Sequence, residues 1–230
     1  MFRLGLAAAA VWLSVGLTTG AGAAPQRRPA PKPAPRTAKP VPPPALKSEP
    51  AQVQCPNPLG VGATSKRTFC DVLTTRDPAE GIQIPVPPHV GEATVTFDLH
   101  NRQTYSEQLV KQGRAYARYT ATLSARTPDN APLAALVVQS EFRSERDLVD
   151  RILGGAGPGG LKAVAPTGVE LVSVTVPQQV TMLCVLGEQL VVETLDGREQ
   201  FVTPGRPIAI ISNVNLEYRP APAPAPRRRP

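Results

Sequence analysis

Between Glu92 and Phe142 the apolar and polar positions mark three strands: ATVTFDLH (Ala93 to His100), AYARYTATLSA (Ala115 to Ala125) and PLAALVVQSEF (Pro132 to Phe142). In the first, Val95, Phe97 and Leu99 fall on one face and Thr96, Asp98 and His100 on the other, the two-residue period of a half-buried strand. Such an apolar face needs a second layer to cover it. In the second, Ala117, Tyr119, Ala121 and Leu123 alternate with Tyr116, Arg118, Thr120 and Thr122, and the turn cluster RTPDNAP (Arg126 to Pro132) joins it to the third as a long hairpin.

From Gly168 onward the chain reads as strand after strand. GVELVSVTVP, QVTMLCVL, EQLVVETL, REQFVTP and PIAIISNVNLEY are each apolar and β-branched, divided by Pro177, a Gly187-Glu188 turn, an Asp196-Gly197 hairpin signal and Pro204-Gly205. Upstream, GIQIPVPPH has the prolines of a short edge strand. Roughly eight strands at this spacing predict a single antiparallel β-sandwich over residues 53–218, of immunoglobulin-like or jelly-roll type.

Helical patterning is sparse. Ser144 reads as an N-cap with Asp147 at N3, and Leu148, Val149 and Ile152 form an apolar stripe that Gly154 stops, so one short helix is expected there. NRQTYSEQLVKQG (Asn101 to Gly113) has room for one helical turn anchored by Leu109 and Val110. GGAGPGG (Gly154 to Gly160) does not have the order of a phosphate-binding loop, because its glycines follow the helix and Lys162 precedes Ala163 rather than Ser or Thr. A surface loop is expected instead.

The front of the chain has a secretion-signal pattern. Arg3 supplies the positive charge, Leu4 to Leu17 the apolar run, and Ala21-Gly22-Ala23 the small-residue cleavage site, so residues 1–23 are expected to be removed. The remaining chain contains no stretch that could span a membrane, and the expected location is extracytoplasmic: periplasm, cell envelope or medium. Cys55 and Cys70 bracket a short loop rich in Pro and Gly and are expected to form a disulfide in that setting. Cys184, inside VTMLCVLG, reads as a buried free thiol, with pairing to either of the others left open. With no CxxC and only His89 and His100 as histidines, neither a zinc site nor any other cofactor is expected.

Charge changes the picture once it is divided by segment. Residues 53–218 hold 14 Lys and Arg against 17 Asp and Glu, so the positive total of +7 comes from the flanks. Residues 24–52 contain ten prolines interleaved with Arg27, Arg28, Lys32, Arg36 and Lys39, and residues 219–230 end in Arg227, Arg228 and Arg229. Proline fixes φ and removes a backbone donor, so both flanks are expected to be disordered, polyproline-like segments. Because the domain carries no excess of basic residues, nucleic acid is excluded as a partner. The basic residues read as electrostatic tethers to an anionic envelope surface or to another envelope protein.

Candidate chemistry is thin. Asp98 and His100 share a strand face, with Asn101, Arg102, Tyr105, Arg118 and Glu141 as possible neighbours; Asp and His two residues apart can orient an imidazole for general-base work. No nucleophile motif or metal spacing accompanies them. The single tryptophan, Trp12, lies in the signal, so a sugar platform would rest on tyrosines such as Tyr105, Tyr116 and Tyr218. Asp98, His100, Tyr105, Tyr116 and Arg118 are therefore the candidate ligand-binding residues. The leading expectation is a non-enzymatic interaction or structural module held near the envelope. The alternatives are a carbohydrate or small-ligand binding domain, and a hydrolase using Asp98 and His100.

Overall fold

The computed structural model describes residues 44–222. The expected signal peptide and the basic residues Arg27, Arg28, Lys32, Arg36, Lys39, Arg227, Arg228 and Arg229 lie outside the described residues. Two antiparallel sheets pack face to face as a sandwich.

The first sheet is built around β5 (Ala93–Thr104), the strand with the cleanest alternation. On one side β5 pairs with β8 (Val164–Val176); on the other it pairs with β11 (Pro207–Tyr218). Beyond β11 lie β3 (Thr68–Leu73) and β2 (Pro58–Val61), while the four-residue β1 (Lys47–Pro50) pairs with the far end of β11. The second sheet has β6 (Ala117–Arg126) at its centre between β7 (Pro132–Phe142) and β9 (Met182–Thr194). Along the outer side of β9 run β10 (Gly197–Phe201) and β4 (Ile82–Pro85), the latter the proline-flanked edge strand that the sequence predicts. Val95, Phe97 and Leu99 do face the second sheet, where they meet Leu123, Val138, Leu183 and Val185 in one core. Every pairing among these strands is antiparallel.

The structure corrects four expectations. There are eleven strands among the described residues, more than the expected eight or so. QVTMLCVL and EQLVVETL are one strand: at Gly187-Glu188 the register with β6 shifts by one residue, so the expected turn is a β-bulge. Glycine is required there because a Cβ would stand 2.8 Å from both the Ile208 side chain and the Leu73 carbonyl oxygen.

The helix moves as well. Ser144 is the cap and Asp147 stands at N3 as expected, and Asp147 also accepts from the Ser144 amide at 2.8 Å, but only one 3-10 turn follows, Glu145–Asp147. Leu148 and Val149 are drawn out of helical geometry because they bridge to the edge of β8, with the Val149 amide donating to the Pro166 carbonyl at 2.9 Å. The single α-helix among the described residues is α1 (Glu107–Lys111), capped by Ser106. Leu109 and Val110 do not anchor it, since none of its residues is buried and Leu109 is 44% exposed.

The fourth correction concerns the boundary at Val53. Between Pro44 and Pro50 runs a proline-free stretch, Ala45 to Glu49, and β1 forms there inside the segment read as disordered. Lys47 and Glu49 both bond the Tyr218 hydroxyl at the end of β11, which fixes the pair. The Cys55–Cys70 disulfide is present and Cys184 is a buried free thiol on β9, pushed up in pKa by desolvation. Among the described residues no helix is long and apolar enough to cross a membrane.

Candidate functional site

Alternation along β5 sends Asp98, His100 and Arg102 to the face of the first sheet that points away from the core. Around His100 that face is not open to solvent, although Leu171, opposite Asp98 on β8, is 74% exposed. A second apolar layer lies on it, made by Leu59 on β2, Phe69 on β3, Ile152 from the segment after the 3-10 turn, and Ile210 on β11, with Val164 packed alongside. The residues read as a helical stripe supply its centre through Ile152.

Under this layer His100 is 0% exposed. Its Nδ1 donates to the Gly168 carbonyl at 2.7 Å, which leaves Nε2 to accept from the Ser212 hydroxyl at 2.8 Å. The Phe69 ring meets the imidazole edge-on at 5.7 Å. Desolvation holds the His100 pKa below the usual histidine range, against the opposing pull of the Gly168 bond and the Asp98 charge. Asp98 is buried too, paired with Arg67 at 2.9 Å and accepting from the Asn213 amide at 3.3 Å. With both ring nitrogens engaged elsewhere, Asp98 does not orient the imidazole and the imidazole has no substrate to reach. The hydrolase reading of this pair is corrected accordingly: two residues apart on a strand is a shared face, but here a covered one.

Sequence reasoning missed a further polar group on the same face. Asp71 on β3 is 2% exposed and receives the Arg102 guanidinium through two bonds, from Nε at 2.9 Å and Nη2 at 3.3 Å, with the Asn57 amide at 3.1 Å. Burial pushes the Asp71 carboxyl up, and Arg102 opposes that shift. Arg102 is 31 residues away in sequence, so no local pattern announces the pair.

The remaining candidates lie elsewhere. Arg118 stands on the outer face of the second sheet, bonded by Nε to Glu193 across the strand pair at 2.7 Å. Tyr116 donates to Glu141 at 3.3 Å, with the Arg143 guanidinium 5.4 Å from its ring centre. Tyr105, just past β5, bonds Glu145, carries Arg151 over its ring at 4.7 Å and meets Phe142 edge-on. Asn101 points the other way, toward the second sheet, where its amide donates to Ser140 at 2.9 Å. Asp98, His100, Tyr105, Tyr116 and Arg118 thus do not converge on one site, and each already has a partner within the chain.

What the fold does assemble is an open groove of about 630 Å³ at the end of β3, where the β9 bulge brings the two sheets together. Thr74 to Arg76, the β6–β7 turn, Glu188 and Pro204 line it. Arg126 in its wall is held by Ser124 at 3.0 Å, Asn130 at 3.2 Å and Glu188 at 3.4 Å. A size of several hundred Å³ suits a small ligand. Ser124 and Glu188 both bond the Arg126 guanidinium in that wall, and among the described residues no group of three or more His, Cys, Asp or Glu gathers to hold a metal ion. A second groove, about 410 Å³, runs beside the disulfide past Arg67 and Asn213. Both are built from distant segments, and only the strand pairing brings their walls together.

The chain matches no family model and no curated protein. Among solved structures it is similar to a cleaved adhesin domain of Lys-gingipain from Porphyromonas gingivalis, at 7% identity and a TM-score of 0.32, over 77% of this chain and 99% of that one. It is also similar to the catalytic domain of a GH87 α-1,3-glucanase in complex with nigerose, at 12% identity and a TM-score of 0.22, over 80% of this chain and 28% of that one. At these TM-scores neither likeness bears on what the chain does.

Proposed function

We propose that this chain is an extracytoplasmic, non-enzymatic β-sandwich module held against an anionic envelope surface by its basic ends. The observation that carries the reading is the division of charge. Residues 44–222 hold all 18 acidic residues of the chain and 16 of its 25 Lys and Arg, whereas the flanks contain basic residues and no acid. Inside the domain many of those charges neutralise one another, as in Arg67–Asp98, Arg102–Asp71 and Arg118–Glu193. Attraction to an anionic surface therefore resides in Arg27, Arg28, Lys32, Arg36, Lys39 and Arg227 to Arg229. The disulfide supports an oxidising compartment. The test is a full chain in which those eight residues are glutamine: it keeps the unfolding midpoint of the wild type and loses its binding to anionic vesicles. Retained binding would remove the proposal.

The 630 Å³ groove favours a second reading, a small-ligand binding domain with Arg126 as an anchor. A ligand screen read by thermal shift, repeated on Arg126→Ala, tests it; stabilisation by a ligand in the wild type and not in the variant is the expected result, and no stabilisation by any ligand counts against it.

A further inference from the structure

A sheet edge is a row of backbone donors and acceptors without partners, and proteins blunt such rows by keeping the edge strand short, by placing charge or proline on it, or by covering it. Most edges of this sandwich follow that rule. β1, β2 and β4 have four residues each and β10 has five. The edge of β2 is covered where the Leu153 amide donates to the Val61 carbonyl at 3.0 Å. β4 ends at Pro85 and bonds Gln54 through both backbone groups of Gln83, and β10 carries Arg198 and Glu199.

β8 departs from it. The strand has thirteen residues and pairs with β5 alone. Leu148 and Val149 cover its edge at Thr167 and Pro166, and β7 packs against it at Gly168, where a Cβ would stand 2.6 Å from the Ser140 Cβ. Past the bulge at Gly168-Val169 the ladder with β5 is regular from Glu170 to Val176. Among the described residues no backbone group other than those of β5 bonds this span. Every second residue of a regular antiparallel strand turns its N–H and C=O away from its partner, so the span is an open edge of about 23 Å. It holds no Lys, Arg or Pro and a single charge, Glu170, while Leu171 is 74% exposed. β7, the other long strand at an edge, begins at Pro132 and carries Glu141 near its end, with Val137 58% exposed between them.

The flanks of the chain do not suit this edge. Residues 24–43 and 223–230 contain no proline-free run longer than four residues, and proline cannot donate to a ladder. The edge does suit itself. With an antiparallel copy about a two-fold axis at Ser173, the whole regular span pairs: Ser173 stands opposite Ser173, Val172 opposite Val174, Leu171 opposite Thr175 and Glu170 opposite Val176. The two carboxylates then lie at opposite ends of the pairing, and no like charges are opposed. An axis nearer Glu170 would shorten the regular pairing and bring the carboxylates together.

We infer that the Glu170–Val176 edge of β8 is a homodimer interface, pairing with the same edge of a second copy so that two six-stranded sheets become one. The test is the mass of the full mature chain, read by light scattering across a concentration series, for the wild type, Ser173→Lys and Val137→Lys. Both substitutions fall at exposed positions, and circular dichroism checks that the fold is kept. The expected result is that the wild type and Val137→Lys approach twice the monomer mass as concentration rises. Ser173→Lys stays monomeric, because it sets two lysines directly opposite each other. Amide hydrogen exchange on the wild type needs no variant: between Glu170 and Val176 it slows as the dimer forms. A wild type that remains monomeric throughout overturns the inference. So does a dimer that Ser173→Lys retains, or one whose β8 amides exchange as fast as those of the monomer.

Discussion

The two outer faces of the sandwich carry similar kinds of residues and treat them in opposite ways. On the first sheet, Asp98, His100, Arg102 and Asp71 lie beneath or beside a cover built from Leu59, Phe69, Ile152 and Ile210, and their polar groups are bonded within the protein. On the second sheet, Tyr116, Arg118, Glu141, Arg143 and Glu193 pair along and across the strands with no cover among the described residues, leaving the Arg118 side chain 43% exposed. The same acid-and-base composition is a buried structural network on one face and a solvated surface on the other. Whether a strand carries Asp and His matters less than what the rest of the chain lays over it.

If that contrast is right, the strongest blow falls on the cover. Phe69→Ala removes the ring that packs on His100 and opens the second apolar layer, with an expected cost of about 3–5 kcal/mol, measured by denaturant unfolding. Asp71→Asn comes next. It leaves the half-buried Arg102 guanidinium without its carboxylate, at an expected cost of about 3 kcal/mol, the low end for a broken buried pair because Arg102 keeps some contact with water.

The third test uses pH. The folded-state pKa of His100 is depressed below 6.5, so its neutral form contributes stability above the unfolded value, and that stability falls away as pH drops from about 6.5 toward the folded value. Asp71 acts with the opposite sign: burial raises its folded pKa above 3.8, so acidification through that range favours the fold. Thermal unfolding of the wild type should therefore weaken between pH 7 and pH 5, and His100→Gln should flatten that slope. A wild-type midpoint indifferent to pH over this range would mean that the imidazole titrates freely. The smallest effect belongs to the open face: Arg118→Ala should leave the unfolding midpoint nearly unchanged, since an exposed cross-strand ion pair contributes little.

The strands were legible because a half-buried strand writes its period into the sequence, as β5 does from Ala93 to His100, whereas Asn101 to Thr104, read as part of a polar connection, continue the same strand. The disulfide was legible for a related reason, two cysteines closing one short loop. Three features were not. Ile152 reads as part of a helical stripe because Leu148, Val149 and Ile152 have helical spacing, and only the pairing of Leu148 and Val149 with the β8 edge pulls them straight. Gly187-Glu188 reads as a turn, since a bulge and a turn both ask for glycine and only the neighbouring β6 register tells them apart. Nothing local in the sequence singles out Asp71, for its partner Arg102 comes from another strand of the sheet. The candidate site was misjudged on the same ground: a sequence shows which residues share a strand face, and the long-range layer decides whether that face is a surface.

The central claim is that the folded domain keeps its charge internally balanced and that outward attraction belongs to the basic ends. Its most direct test is sedimentation with isolated envelope fractions across a salt series, comparing the mature chain with a form trimmed to residues 44–222, whose two sheets and core are complete. The account predicts that the mature chain binds at low salt, that its binding falls steeply as the screening length shortens, and that the trimmed domain does not bind. A trimmed domain that binds as well as the mature chain, with little dependence on salt, would contradict it and place recognition on the sandwich itself.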